Sequence, residues 1–100
     1  MCGDDQFMKY QSPNEKHEIL SYRRSCGATT TFVYNIELDG NTILRYTYGG
    51  PVSVKWIDDK NILIEMASSS PYMRTYKILE NYNNIQINFD QNIKSVHKVN

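Results

Sequence analysis

The alternation of hydrophobic and polar residues between positions 31 and 38 is the clearest structural signal in the sequence. Every second residue of this segment is large and apolar: Phe32, Tyr34, Ile36 and Leu38. In an extended chain these side chains fall on one face, and the intervening residues fall on the other. Asp39-Gly40-Asn41 follows, and such residues readily adopt the positive φ of a tight hairpin turn. The pattern predicts a strand over residues 31–38 that pairs with a second strand over residues 42–48.

Turn-forming residues recur through the rest of the chain at intervals of about 8 to 12 residues, which is typical of all-β sandwiches and barrels. The remaining predicted strands span residues 17–24, 52–56, 62–67, 73–79 and 84–89. We expect two further hairpins among them, one joining 52–56 to 62–67 and one joining 73–79 to 84–89. The predicted fold class is all-β, a small antiparallel meander, sandwich or open barrel of about six to seven strands.

The chain is predicted to form one domain, because its 100 residues suffice for one core and contain no repeat or linker that would divide it. Residues 1–11 are predicted to be a flexible N-terminal tether, and residues 12–100 a single β domain. A turn at Ser12-Pro13-Asn14 begins this domain, since proline presets φ and asparagine tolerates the left-handed region. The predicted core consists of Ile19, Phe32, Tyr34, Ile36, Leu44, Val54, Trp56, Leu63, Ile64, Ile78, Ile87 and Phe89.

The charge balance excludes one class of partner. Eleven basic residues match eleven acidic ones, so the chain has no net field that would draw nucleic acid or an anionic membrane toward it. We therefore expect no nucleic-acid partner. The longest uncharged apolar runs are about four residues long, against the roughly 20 that a membrane-spanning helix needs.

The first residues, Met1-Cys2-Gly3-Asp4-Asp5, fit a mature bacterial lipoprotein in which a lipid-bearing cysteine precedes a polar tether. Lipidation of Cys2 would place the domain at the cell envelope and would be its link to a membrane. The alternative is a cytoplasmic protein whose second residue is cysteine. The chain contains one other cysteine, Cys26. We expect no disulfide between the two, because Cys2 lies at an end predicted to be mobile.

Four segments together resemble a family of small bacterial envelope proteins or lipoproteins. They are Ser12-Pro13-Asn14-Glu15-Lys16, Cys26-Gly27-Ala28-Thr29-Thr30, Val54-Lys55-Trp56 and Ile62-Leu63-Ile64. The resemblance covers residues 12–89, and its most specific part is the Cys-Gly-Ala-Thr-Thr run. The chain departs from the family pattern at Ser25, where an acidic residue is common, and at Thr31, where a glycine is common. The resemblance implies an all-β fold and an envelope location, and it implies no particular activity.

The segment around Cys26 invites a chemical interpretation, since it combines a thiol with a flexible backbone and several hydroxyls. A nucleophilic cysteine needs a base and a lowered thiol pKa, yet His17 and His97 are not patterned around Cys26. We therefore interpret the segment as structural, with cysteine packing as a small apolar residue and threonine hydroxyls bonding to the backbone. This structural motif comprises Cys26, Gly27, Thr29, Thr30 and Trp56.

Ligand and cofactor motifs are missing from the sequence. Cysteines and histidines occur at positions 2, 17, 26 and 97, without the paired spacing of zinc ligands. Asp4-Asp5 and Asp58-Asp59 lack the acid spacing of a calcium loop. No glycine-rich phosphate loop, dinucleotide fingerprint or nucleophile elbow is present. We predict no metal, no cofactor and no catalytic residue, and hence a protein that is not an enzyme.

Tyrosine and arginine cluster in two parts of the chain and form a candidate interaction surface. Its residues are Tyr46, Tyr48, Tyr72, Arg74 and Tyr76. Both residue types are enriched at protein interfaces, because they offer a large contact area and a polar tip at low entropic cost. The alternative is that these tyrosines are half-buried in an ordinary sheet.

Three functions are compatible with these patterns. The leading hypothesis is a non-catalytic binding or structural module of the bacterial cell envelope that engages a protein partner. The alternative is a small inhibitor or immunity-type protein that caps the active site of a partner enzyme. The third is a hydrolase that uses Cys26.

Overall fold

Two β-sheets make up the computed structural model, which describes residues 3–26, 32–67 and 71–93. The strands are β1 (Gly3–Gln11), β2 (Glu18–Ser25), β3 (Val33–Leu38), β4 (Asn41–Thr47), β5 (Val52–Asp58), β6 (Asn61–Met66), β7 (Arg74–Ile78), β8 (Asn81–Tyr82) and β9 (Ile85–Phe89). The first sheet has the order β1-β2-β3-β4-β7 and the second β5-β6-β9-β8. The predicted all-β class is therefore confirmed as an open sandwich. The described residues form nine strands, more than expected.

Two of the predicted hairpins are confirmed. Strands β3 and β4 pair antiparallel around Asp39-Gly40, whose φ angles of 49° and 84° are those of a tight hairpin turn. Strands β5 and β6 pair antiparallel from Val52↔Met66 to Asp58↔Asn61. In both hairpins the sequence places turn residues directly between two alternating segments, so the pairing partner is the nearest strand in the chain.

The predicted hairpin between residues 73–79 and 84–89 is wrong. Strand β7 pairs antiparallel with β4 in the first sheet, whereas β9 pairs parallel with β6 in the second. The turn after β7 leads instead to the short strand β8. Asn83 and Asn84, with φ angles of 51° and 65°, return the chain from β8 to β9. A change of sheet and a parallel pairing leave no local turn signal in the sequence.

The predicted tether also requires correction. Its described part, Gly3–Gln11, is strand β1, which pairs antiparallel with β2. The segment is polar because β1 lies at the edge of the first sheet, where most of its side chains face solvent. Its register shifts between Asp5 and Met8, and Gln6 at this bulge has a φ of 56°. Polar residues thus marked an edge strand here rather than a flexible segment.

The two sheets enclose one apolar core. Its buried members are Ile19, Ile36, Leu38, Ile43, Leu44, Tyr46, Val54, Ile62, Ile64, Met66, Met73, Ile85, Ile87, Phe89 and Ile93. Among the predicted core residues, those that are half-buried instead are Tyr34, Trp56, Leu63 and Ile78. The prediction for Phe32 is wrong, since its side chain is 40% exposed and lies under the guanidinium of Arg23.

A bulge explains one core residue that alternation does not predict. The register of β3 and β4 passes from Ile36↔Leu44 to Glu37↔Thr42, which leaves Ile43 without a partner residue. A bulge breaks the strict alternation of faces, and Ile43 and Leu44 are consequently both fully buried.

Candidate functional site

Strand β7 forms one edge of the first sheet and carries two of the predicted surface residues. Arg74 and Tyr76 are both exposed, Tyr76 by 62%. The register with β4 passes from Arg45↔Lys77 to Tyr46↔Thr75, so Tyr76 is the extra residue of a β-bulge. Because a bulge redirects a side chain, Tyr76 faces solvent between two paired neighbours.

Tyr48 follows strand β4 in an unfavourable backbone conformation. Its φ of 58° lies in the left-handed region, which costs a residue with a Cβ atom roughly 1–2 kcal/mol. The ring is 53% exposed, so much of its apolar area stays in contact with water. Glycine would adopt this conformation without strain. The presence of tyrosine here therefore points to a use for its side chain.

Two segments that are distant in the sequence bring these side chains together. The residues that line a single depression are Tyr48, Pro71, Tyr72, Met73, Arg74 and Tyr76. Tyr72 lies in the turn that precedes β7 and is 75% exposed. We refer to Tyr48, Tyr72, Arg74 and Tyr76 as the tyrosine surface. Four of the five residues named from the sequence thus lie side by side.

The fifth residue, Tyr46, requires correction, because its side chain is fully buried. Its ring stacks on Tyr34 with centroids 5.0 Å apart, and its hydroxyl donates to the carbonyl of Gly50 at 2.6 Å. Burial raises the pKa of the Tyr46 hydroxyl. A Cβ atom on Gly49 would lie 3.0 Å from the same ring, so the loop after Tyr48 packs closely on it. Tyr46 supports the tyrosine surface from below and is not part of it.

Basic side chains continue the tyrosine surface across the outer face of the first sheet. Arg45 and Lys77 are cross-strand neighbours, and Arg74 is paired with Thr47 two residues further along β4. All three are exposed. Within residues 3–26, 32–67 and 71–93, none of them forms an ion pair with a carboxylate. Sequence reasoning did not identify Lys77 or place it beside Arg45, since the pairing of β4 with β7 was not predicted.

At the opposite edge of the same sheet, two arginines of β2 form ion pairs with two aspartates of β1. Arg24 binds Asp4 through two hydrogen bonds, and Arg23 binds Asp5 in the same way. These bonds lower the pKa values of Asp4 and Asp5 below the ordinary 3.8. The arginines of β2 are thus paired with carboxylates, whereas among the described residues Arg45, Arg74 and Lys77 are not.

Cys26 is disulfide-bonded, whereas the sequence analysis expected no disulfide between the two cysteines of the chain. The other cysteine of the sequence, Cys2, lies outside the described residues, as do Gly27, Thr29 and Thr30 of the predicted motif. A sulfur held in a disulfide is not available as a nucleophile.

Trp56, the last residue of that motif, joins the two sheets. Its indole N–H donates to the backbone carbonyl of Tyr10 at 2.9 Å, which connects β5 with β1. The ring is half-buried and stacks near His17 with centroids 6.4 Å apart. These contacts give Trp56 a structural role at the side of the sandwich where the edges of the two sheets meet.

A serine, a histidine and an aspartate lie close together near this side of the molecule. The Nδ1 atom of His17 is 2.6 Å from a carboxylate oxygen of Asp39. The Ser12 hydroxyl, however, donates to Asn14 and accepts from the backbone N–H of His17. It does not bond the imidazole ring, which a hydrolase triad requires. The group stabilises the turn before β2.

Comparison with known proteins identifies no relative. No protein-family model matches the chain, and neither a curated protein nor a solved structure matches it significantly. Among the described residues, no group of three or more histidine, cysteine or carboxylate side chains is placed to hold a metal ion. The same part of the chain contains no helix long and apolar enough to cross a membrane.

Proposed function

We propose that this protein is a non-catalytic binding domain that engages a protein partner through the tyrosine surface. The observation that carries the proposal is the convergence of Tyr48, Tyr72, Arg74 and Tyr76 on one exposed depression. Interface hot spots are enriched in tyrosine and arginine and lie in clusters. The strained backbone at Tyr48 supports the same conclusion, because strain that burial does not offset is found at functional sites.

We also propose an envelope location, and the disulfide at Cys26 supports it. Disulfide bonds persist in oxidising compartments such as the bacterial periplasm and are rare in the cytosol. The sequence contains two cysteines, so an intramolecular bond at Cys26 would occupy the sulfur of Cys2 that a lipid would need. We therefore favour a secreted, disulfide-bonded domain over one anchored through Cys2. Intact mass of the protein from its native host, measured before and after reduction, distinguishes the disulfide-bonded form from a form that carries a lipid on Cys2.

The binding proposal is tested by site-specific photo-crosslinking in cells of the native host. A photoreactive phenylalanine analogue replaces Tyr72 in one variant and Ile57 in the control. Ile57 is 55% exposed on β5 of the other sheet, so it matches an exposed apolar site away from the tyrosine surface. We expect a discrete crosslinked product from position 72 and none from position 57.

The same experiment also separates the candidate functions. If the crosslinked product from position 72 is lost when Tyr76 is also replaced by serine, the partner binds through the tyrosine surface. An enzyme recovered in that product, whose activity falls when the domain is added, would indicate an inhibitor. Equal crosslinking from positions 57 and 72 would contradict the proposed surface.

A further inference from the structure

We infer that the partner presents an acidic, extended segment to the outer face of β4 and β7, an inference that rests on the proposed binding function. The face carries Arg45, Arg74 and Lys77 beside the tyrosine surface. Cations that face solvent without a carboxylate partner favour a ligand of opposite charge, since complementary potentials steer association and fix the register.

The spacing of the cations fits an extended chain. Arg45 and Thr47 lie two residues apart on β4, and Lys77 and Arg74 are paired with them. Side chains two residues apart in a strand repeat every ~6.8 Å on one face. Carboxylates at alternate positions of an extended segment have the same repeat, so one can meet Arg45 and Lys77 while the next meets Arg74.

The neighbouring carboxylate on this face does not compete for the cations. Asn35 and Thr47 are buried beside them, so a bound segment would contact the exposed side chains of Arg45, Arg74 and Lys77. Glu37, on the same face of β3, accepts a hydrogen bond from the Tyr22 hydroxyl at 2.7 Å. Arg45 uses its Nε to bind Asn35 at 2.7 Å, which fixes the guanidinium while its terminal nitrogens stay available. The Glu37 carboxylate is thus hydrogen-bonded to Tyr22, and the Arg45 guanidinium is oriented by Asn35 before any ligand binds.

A second copy of the chain is a poorer occupant of this edge. Strand β7 contains Arg74 and Lys77 and no acidic residue, so two copies paired through β7 would bring like charges together. Residues 94–100 of the same chain carry two lysines and no aspartate or glutamate. The carboxylates of β1 in another copy are already bound by Arg23 and Arg24.

Nucleic acid is also disfavoured. A polyanion is held mainly by many cations acting together along its backbone, whereas this chain has no net charge and the face offers three cations. Tyrosines at the border of the face instead suit apolar side chains that flank the carboxylates of a peptide. The shape and the charge of the face therefore fit a short acidic peptide segment.

The test is an NMR titration of the ¹⁵N-labelled protein with synthetic heptapeptides. The probe alternates glutamate with valine, and matched peptides replace every glutamate with glutamine or with lysine. We expect chemical-shift changes at the amides of Arg45, Thr47 and β7, strongest for the glutamate peptide and reduced by salt. Replacing the glutamates with glutamine should weaken binding by about tenfold. Equal responses to the three peptides, or shifts confined to the second sheet, would overturn the inference.

Two variants with the same change in net charge show where on the protein the glutamate peptide binds. Arg74→Glu with Lys77→Glu reverses the charge of the proposed face, whereas Lys55→Glu with Lys60→Glu changes two exposed lysines, one on β5 and one in the turn that follows it. We expect about a tenfold loss of affinity for the glutamate peptide in the first variant and little change in the second. Equal losses in both would contradict the assignment, as would tighter binding of a heptathymidine oligonucleotide than of the glutamate peptide.

The crosslinking experiment keeps this inference separate from the proposed function. If the product from position 72 persists in the Arg74→Glu, Lys77→Glu variant, the tyrosine surface binds its partner without acidic recognition. The binding function would then stand, and the inference of an acidic segment would be wrong.

Discussion

Tyr48 combines an unfavourable backbone conformation with an exposed aromatic side chain. Its left-handed φ of 58° favours glycine, yet the chain carries an aromatic ring that is 53% exposed. The neighbouring Gly49 packs against Tyr46, so the loop is held in this conformation by the core beneath it. A residue that is unfavourable for folding and exposed to solvent is a good candidate for a binding role.

The strain at Tyr48 can be measured by comparing two truncations. Tyr48→Gly and Tyr48→Ala lose the same ring and differ in their tolerance of the left-handed region. We expect the glycine variant to be more stable than the alanine variant by about 1 kcal/mol in urea unfolding.

The control for this comparison is the same pair of substitutions at Tyr76, which lies on β7 and has no positive φ. There the order should be inverted, because glycine in a strand is less stable than alanine by roughly 0.5–1 kcal/mol. The same order at both positions would show that Tyr48 is not strained. Both truncations of Tyr48 should weaken partner crosslinking to the same extent.

Strand β1 is the element whose attachment depends most on polar and covalent links. Most of its side chains are exposed, so apolar burial contributes little to its docking. Two arginine–aspartate pairs bind it to β2, the Trp56 indole binds Tyr10, and Cys26 at the end of β2 is disulfide-bonded. We therefore expect β1 to be the part of the first sheet that responds most to reduction.

Cys26→Ser tests this dependence on the disulfide. We expect a loss of about 3 kcal/mol in the free energy of unfolding, as is typical when a native disulfide is removed from a small domain. Hydrogen exchange should accelerate at Gly3–Gln11 more than at the β3–β4 hairpin. A matched Ser25→Ala variant, one residue away and without a thiol, should leave exchange of β1 nearly unchanged. Uniform acceleration over both sheets would instead show that the disulfide stabilises the whole fold.

At the scale of the whole molecule, three exposed carboxylates in the two sheets contribute to the response to acid. Arg24 and Arg23 lower the pKa values of Asp4 and Asp5 in the first sheet. The backbone N–H of Lys60, helped by the Asn61 side chain, lowers the pKa of Asp58 in the turn between β5 and β6. Each carboxylate is more acidic in the folded chain than its ordinary value of 3.8.

The sign of the pH dependence follows from linkage. The folded state binds protons less readily than the unfolded state at these three groups, so their stabilisation is complete above pH 3.8 and is lost as the pH falls below it through their lower folded values. We expect the urea midpoint to fall over this acidic range. In an Asp4→Asn, Asp5→Asn, Asp58→Asn variant the fall should be smaller. An identical acid profile in the two proteins would contradict the contribution of these residues.

Local patterning of the sequence determined the all-β class, the β3–β4 and β5–β6 hairpins and much of the core. Alternation places Ile36 and Leu38 on one face, and Asp39-Gly40 supplies the turn that joins neighbouring strands. Four of the five residues that it indicated for an interaction surface lie in the tyrosine surface, and the fifth, Tyr46, is buried. These features depend on side chains close in sequence, so their signals are short-range.

Only the tertiary structure decided which strands pair across the molecule. The pairing of β7 with β4 and of β9 with β6 joins segments without a shared turn, and pairing of this kind is fixed by long-range packing. That pairing buries Tyr46, places Lys77 beside Arg45 and turns Tyr76 outward at a bulge. The sequence determined which residues are suited to an interface, whereas the packing of β7 on β4 determined which of them share one surface.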